Sequence, residues 1–203
     1  LIDVEEDLVV RGNPELKRTT IENYDARLEW FPNPGELVSF GLFQKDLKDP
    51  IERFYLDPQN NIVSFTNRPT AIVRGIEFEV RKKLNFVDPL LNDFSIGGNY
   101  SFIDSEVDVP YSGNGVDVLV YQRTLFDQPE YVLNVDFAYD NPRTGTSFSV
   151  VFSRTGERLA LDVPNAPNAY EQPINTLDLF ISQRLGRHWK LRFGARNLLD
   201  PQI

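Results

Sequence analysis

Apolar and polar residues alternate along this chain in short runs. Between positions 94 and 103, Phe94, Ile96, Tyr100 and Phe102 share one parity with Gly98, while Ser95, Gly97, Asn99, Ser101 and Ile103 share the other. A strand sends successive side chains to opposite faces, so this run has one apolar face and one mostly small or polar face. The same alternation predicts strands over about 22–31, 37–46 and 71–83. Leu28 and Trp30 stand against Arg27 and Glu29 in the first, and Ile76 and Phe78 against Glu77 and Glu79 in the third. It predicts four more: about 130–139, the stretch around Phe148 and Phe152, Leu177 to Leu185, and Trp189 to Arg196.

The connections between these runs alternate as well. Pro32-Asn33-Pro34-Gly35, Asn85 to Asn92, Asp140 to Gly145 and Gly186-Arg187-His188 are the shorter turns, rich in residues that fix or free the backbone. The segments 47–70, 104–128 and 155–173 are much longer. Loops of that length are uncommon in compact domains and usually carry function. The first contains two apolar fragments, Ile51 to Leu56 and Ile62 to Phe65, expected to extend the strands outward. A sandwich buries its apolar faces against each other, whereas a membrane barrel points them at lipid and has short turns at one end and long loops at the other. The loop rhythm favours the barrel. Aromatics near strand ends (Trp30, Tyr100, Tyr139 and Trp189) fit the girdles of such a barrel.

Composition narrows the choice further. Aromatics make up 12% of the chain, with 15 Phe and 8 Tyr against 2 Trp, a usage that suits strands. No apolar run approaches the roughly eighteen residues of a membrane-spanning helix. The mean hydropathy of −0.34 is compatible with a barrel, because only alternate residues of a barrel strand face lipid. The chain lacks cysteine, hence both disulfides and thiolate metal sites. A net charge of −9 argues against a nucleic-acid partner.

Several stretches carry a family resemblance. Asn13-Pro14-Glu15-Leu16-Lys17, Asn23-Tyr24-Asp25 and Leu28-Glu29-Trp30-Phe31-Pro32 resemble the entry to the late barrel of TonB-dependent receptors. Phe43 to Ile51, Arg74-Gly75-Ile76-Glu77-Phe78-Glu79, Gln128 to Asn134 and Arg196-Asn197-Leu198-Leu199-Asp200 are similar to further stretches of that family, in its usual order. Arg18-Thr19-Thr20 departs from it, where a proline and an acid are common. The resemblance implies an all-β fold, an antiparallel transmembrane β-barrel of about 22 strands of which this chain supplies about eight. Residues 1–203 are then the C-terminal part of the barrel, cut at both ends, with the plug domain and the last strand outside it. It implies no enzyme activity and no cofactor. It implies instead uptake of a scarce nutrient, such as a ferric siderophore, cobalamin or an oligosaccharide, across the outer membrane of a Gram-negative bacterium. The implied partners are the TonB complex, reached through an N-terminal part absent here, a small-molecule ligand that can be a metal chelate, and outer-membrane lipid. Two rivals stay open: a passive outer-membrane channel without TonB coupling, and a soluble all-β binding or adhesion module.

Candidate chemistry is sparse. The long loops hold Phe54, Tyr55, Phe65, Tyr111, Tyr121 and Tyr170, with Phe126 beside them. These rings either stack on a flat ligand or pack the loops together. Asp104, Glu106 and Asp108 alternate along one strand face with Asp117 beyond, a set of oxygens suited to a hard cation or simply to water. The inferred lumen face carries Arg27, Arg74, Arg184, Lys190, Arg192 and Arg196, and with them Asp25, Glu29, Glu77, Glu79, Asp136 and Asp178. Pairing among these charges is the simpler expectation than steering of an anionic ligand. His188 is the lone histidine and sits in a turn.

Overall fold

A computed structural model describes residues 2–3, 8–111, 119–161 and 168–199. Among them, eight strands form one antiparallel sheet in which each pairs with the next along the chain. They are β1 Thr20–Trp30, β2 Leu37–Lys48, β3 Thr70–Lys83 and β4 Phe94–Tyr111. β5 Tyr131–Asn141, β6 Thr146–Thr155, β7 Ile174–Leu185 and β8 Trp189–Ala195 complete it. A further strand, Leu119–Arg123, pairs only with the end of β4. No helix among the described residues is long and apolar enough to cross a membrane.

Register turns the alternation into a surface. Trp30 faces Val38, which faces Val80 and then Gly98, Val135, Phe152 and Leu177 across seven strands. One rung away, Leu28, Phe40, Phe78, Tyr100 and Leu133 stand in line. Because opposed residues share a face, every strand's apolar parity falls on the same side. That side is poorly covered: Leu28 is 76% exposed and Trp189 is 74% exposed. On it Phe94, Tyr139 and Phe148 form a ring cluster, with centroids 4.7 Å apart for Phe94–Tyr139 and 5.5 Å for Tyr139–Phe148.

The other side is small and polar. Arg27 binds Glu79 at 2.9 Å and Glu29 at 2.7 Å, and Asn134 donates to Asn99 at 2.9 Å. Two glycines make room there. A Cβ on Gly97 would lie 2.2 Å from Oδ1 of Asp136, and one on Gly75 would lie 2.6 Å from the Phe43 ring. Neighbouring side chains therefore lie across the glycines, as close approach requires.

Three sequence expectations need correction. β4 runs to Tyr111 instead of ending near Ile103, because its last part is paired on both sides, by β3 up to Val107 and by Leu119–Arg123 from Val107. Tyr100 is thus mid-strand, stacked on Tyr131 at 6.1 Å, whereas Trp30, Tyr139 and Trp189 stand beside the short turns. Arg74 lies on the apolar side, not the polar one, because it shares the parity of Ile76 and is opposed by Gln44 and Asp104.

Candidate functional site

The long loops all leave one end of the sheet, and each continues a wall hairpin. Lys48 faces Thr70, and three residues further out Ile51 faces Asn67, an unchanged offset. Asp49 N–H to Pro69 C=O (3.1 Å) and Arg68 N–H to Pro50 C=O (2.8 Å) bridge the join. Asp49 takes φ +53° just before Pro50, which bends the ribbon where the prolines interrupt its ladder. The fragments Ile51–Asp57 and Ile62–Asn67 therefore extend the β2–β3 pair as expected, but as a separate small sheet. The third loop repeats the device: Thr155 faces Ile174, and Arg158 faces Glu171 in the same offset.

Consecutive loops are then tied to one another. Leu8–Val10 runs parallel to Ile62–Asn67, and Ser64 Oγ donates to the Arg11 carbonyl at 2.9 Å. Between the first and second loops lies a buried ionic cluster. Arg123 Nη1 and Nη2 donate to Oε1 and Oε2 of Glu52 at 3.1 and 2.9 Å. Arg68 Nε donates to Oε2 at 2.9 Å, and the Phe126 backbone N–H donates to Oε1 at 2.9 Å. The Glu52 side chain is 2% exposed and that of Arg123 4%. Burial alone pushes the Glu52 carboxyl up; the Arg123 guanidinium, the Phe126 N–H and Arg68 outweigh it and hold the group below the ordinary carboxylate value. Beside the cluster, the Arg53 guanidinium lies 5.0 Å from the Phe126 ring centroid.

The second and third loops meet through backbone. Phe126 bridges Leu159, Asp127 N–H donates to the Leu159 carbonyl at 3.0 Å, and Glu130 N–H donates to Glu157 at 3.2 Å. Arg158 pairs with Asp127 at 2.9 Å and with Glu171. Beneath the second loop, Ala71, Val107 and Val109 form a small core with Leu47 and Leu125 against it. Loops knit in this way form one platform.

The platform separates the aromatic candidates. Tyr55 is opposed by Val63 and Phe65 by Arg53, so Tyr55 and Phe65 share one face of the first ribbon, while Phe54, opposed by Ser64, is on the other. All three are half-buried. Tyr121 and Tyr170 lie on the second and third ribbons, opposed by the buried Val109 and Leu159, and are 43% and 44% exposed. They are thus the better placed to touch a ligand. The side chain of Tyr111 lies outside the described residues, as does Asp117. Asp104 is held by Arg74 at 2.7 Å, and Asp108 accepts from Thr70 and Gln122. Among the described residues no group of three or more His, Cys, Asp or Glu is placed to hold a metal ion. His188 is exposed in its turn.

Glu52, Arg68 and Arg123 were not legible as a unit. Glu52 sits beside Arg53 in a run, Ile51 to Leu56, that does not alternate, and its partner Arg123 is 71 residues away along the chain.

An antiparallel meander with an uncovered apolar face and long loops at one end is part of a β-barrel wall. The sequence pattern described as "TonB dependent receptor-like, beta-barrel" matches residues 6–198, and the chain belongs to that family. The family is one of transporters, not enzymes. Nothing among curated protein sequences matches. Solved structures do. A mutant of the ferric enterobactin receptor PfeA from Pseudomonas aeruginosa is 22% identical, with a TM-score of 0.61 over 95% of this chain and 27% of that one. The siderophore receptor PirA from Acinetobacter baumannii is 17% identical, with a TM-score of 0.61 over 96% of this chain and 29% of that one. The copper transporter OprC is 15% identical, with a TM-score of 0.64 over 93% of this chain and 27% of that one. At these identities the likeness is one of fold. The chain spans little more than a quarter of these relatives.

Proposed function

We propose that residues 1–203 form part of the C-terminal wall and three capture loops of an outer-membrane receptor that takes up a scarce nutrient with energy from the TonB complex. The plug and the last strand belong to other parts of the receptor. One observation carries this reading: a continuous, exposed apolar face on one side of the sheet, with the tied loops confined to one end. Water-soluble monomers rarely leave so extensive an apolar surface uncovered. β1–β7 have ten or more residues each, and a tilted strand needs about 9–11 to cross the hydrocarbon core. This argues against the soluble module.

Ligand capture falls to the platform, with Tyr121 and Tyr170 as the accessible rings and Tyr55, Phe65 and Phe54 supporting them. The chemistry favours a small flat or chelated ligand. Of the three structural relatives named above, one is a ferric enterobactin receptor, one a siderophore receptor and one a copper transporter. A ferric chelate is accordingly the first ligand to try.

The test is binding by the full receptor in detergent against a panel of ferric siderophores, cobalamin and oligosaccharides, with Tyr121→Ala and Tyr170→Ala combined. Exposed aromatic anchors are worth about 1–2 kcal/mol each, so affinity for the recognised ligand falls at least tenfold. Heat-modifiable migration, the sign of an intact barrel, stays unchanged. Unaltered affinity would remove these rings from the site.

A further inference from the structure

The pairing expected among the polar-side charges is met on β1–β3 and fails on β7–β8. Arg27 is held by Glu29 and Glu79. Arg184 instead stands directly opposite Lys190, with Ser182 opposite Arg192 two residues further in. Among the described residues, none of these three cations has an acid within salt-bridge reach. Like charges directly opposite on a sheet are destabilising, so the arrangement calls for an anion. The cations border a hollow of about 430 Å³ on the same side. Two rungs of that side wall it: Ala138, Ser149 and Phe180, then Asp140, Ser147, Ser182 and Arg192, with Lys190 one rung beyond. Its floor is the backbone of the rung between, Tyr139, Phe148, Ile181 and Phe193, whose side chains leave on the apolar side. The Phe180 ring lies across Gly194, where a Cβ would come within 3.2 Å of it, and the Arg196 guanidinium stands 5.7 Å from its centroid.

We propose that this hollow binds a small oxyanion, one bearing phosphate or carboxylate groups. The Lys190 ammonium and the Arg192 guanidinium can only donate. Ser147 and Ser182 share one hydrogen bond at 2.8 Å, which leaves one of the two hydroxyl protons free, and Ser149 has no partner among the described residues. Cationic donors with hydroxyls beside them match two or more oxygens of such a group, and the volume suits a small ligand. With Arg184 counted, three cations face one carboxylate, Asp140, so the local field is positive in a chain of net charge −9. Ser182 is eight residues from Ile174, the long-loop end of β7, which places the hollow roughly 25 Å from the loops. It is therefore separate from the Tyr121 and Tyr170 rings. For an anionic nutrient it is a second station on the way to the short-turn end, and only that role rests on the proposed function.

The test is calorimetry of the full receptor in neutral detergent at low salt, with inorganic pyrophosphate and tricarballylate as the two probes. The wild type binds at least one of them at a single site, and which one it binds separates phosphate from carboxylate chemistry. Lys190→Gln combined with Arg192→Gln lowers that affinity by about tenfold or more. Arg187→Gln removes a charge from the adjacent turn but not from the hollow, and changes the affinity by less than about threefold. An equal loss in Arg187→Gln would reduce the site to a diffuse positive field and overturn it, as would unchanged affinity in the double variant. A wild type that binds neither probe also overturns it, the result expected where a carboxylate of a neighbouring receptor segment already fills the hollow. Heat-modifiable migration shows that each variant is folded. Tyr121→Ala with Tyr170→Ala leaves probe binding intact, so failure of loop capture and failure of the anion site are told apart.

Discussion

Glu52→Gln keeps the shape of a buried side chain and removes its charge. In the native platform Glu52 accepts from Arg123 twice, from Arg68 and from the Phe126 N–H. The substitution leaves the Arg123 guanidinium, 4% exposed, facing an amide whose NH₂ group cannot accept. Stranding one partner of a buried pair costs about 3–5 kcal/mol. At about 1.4 kcal/mol per factor of ten, local opening of the first loop from the second becomes roughly a hundred to several thousand times more frequent. Hydrogen exchange on the full receptor in detergent reads this directly. Protection of the Phe126 amide falls by that factor, while Leu133 and Val150 in the wall keep theirs. A change below threefold at Phe126 would show that the cluster does not hold the loops together.

The same cluster fixes a pH dependence. The folded Glu52 carboxyl lies below its unfolded value of about 4.3, so its contribution is complete above that value and fades as pH falls through the lower folded one. Phe126 protection is therefore flat from pH 7 to 5 and drops below about pH 4 in the wild type, and it loses this step in Glu52→Gln. Phe78→Arg, on the apolar side, is expected to destabilise the vesicle-inserted barrel by about 2–4 kcal/mol in denaturant titration, whereas Asn99→Arg on the polar side is near neutral. Gly75→Ala costs about 1–3 kcal/mol in the same titration, since its Cβ would meet the Phe102 carbonyl at 2.3 Å; a neutral result would show that β3 and β4 separate easily there.

The wall was largely legible. Period-two alternation is a local signal, and each of the eight wall strands announces itself within about ten residues. Register could not be read residue by residue, yet parity alone placed Leu28, Phe78 and Phe137 on one side. Arg74 shows the failure: its charge pointed to the polar side, while its parity put it with Ile76. The platform was mostly hidden. Leu8–Val10, Leu119–Arg123 and Arg158–Leu161 are strands of three to five residues, too short for alternation to declare itself. Their partners are set by loop-to-loop contacts that a single sequence does not encode locally. The six aromatic candidates were chosen by residue type, and geometry then separated exposed Tyr121 and Tyr170 from half-buried Phe54, Tyr55 and Phe65.

The central claim is that this chain is wall from a larger membrane receptor, and the intact mass of the native polypeptide tests it most directly. Washed membranes are extracted with and without detergent, and the polypeptide containing this sequence is weighed. A mass several times 23.4 kDa, recovered only with detergent, is the predicted result. A species near 23.4 kDa in the soluble fraction would contradict the account and return the apolar face to the core of a sandwich.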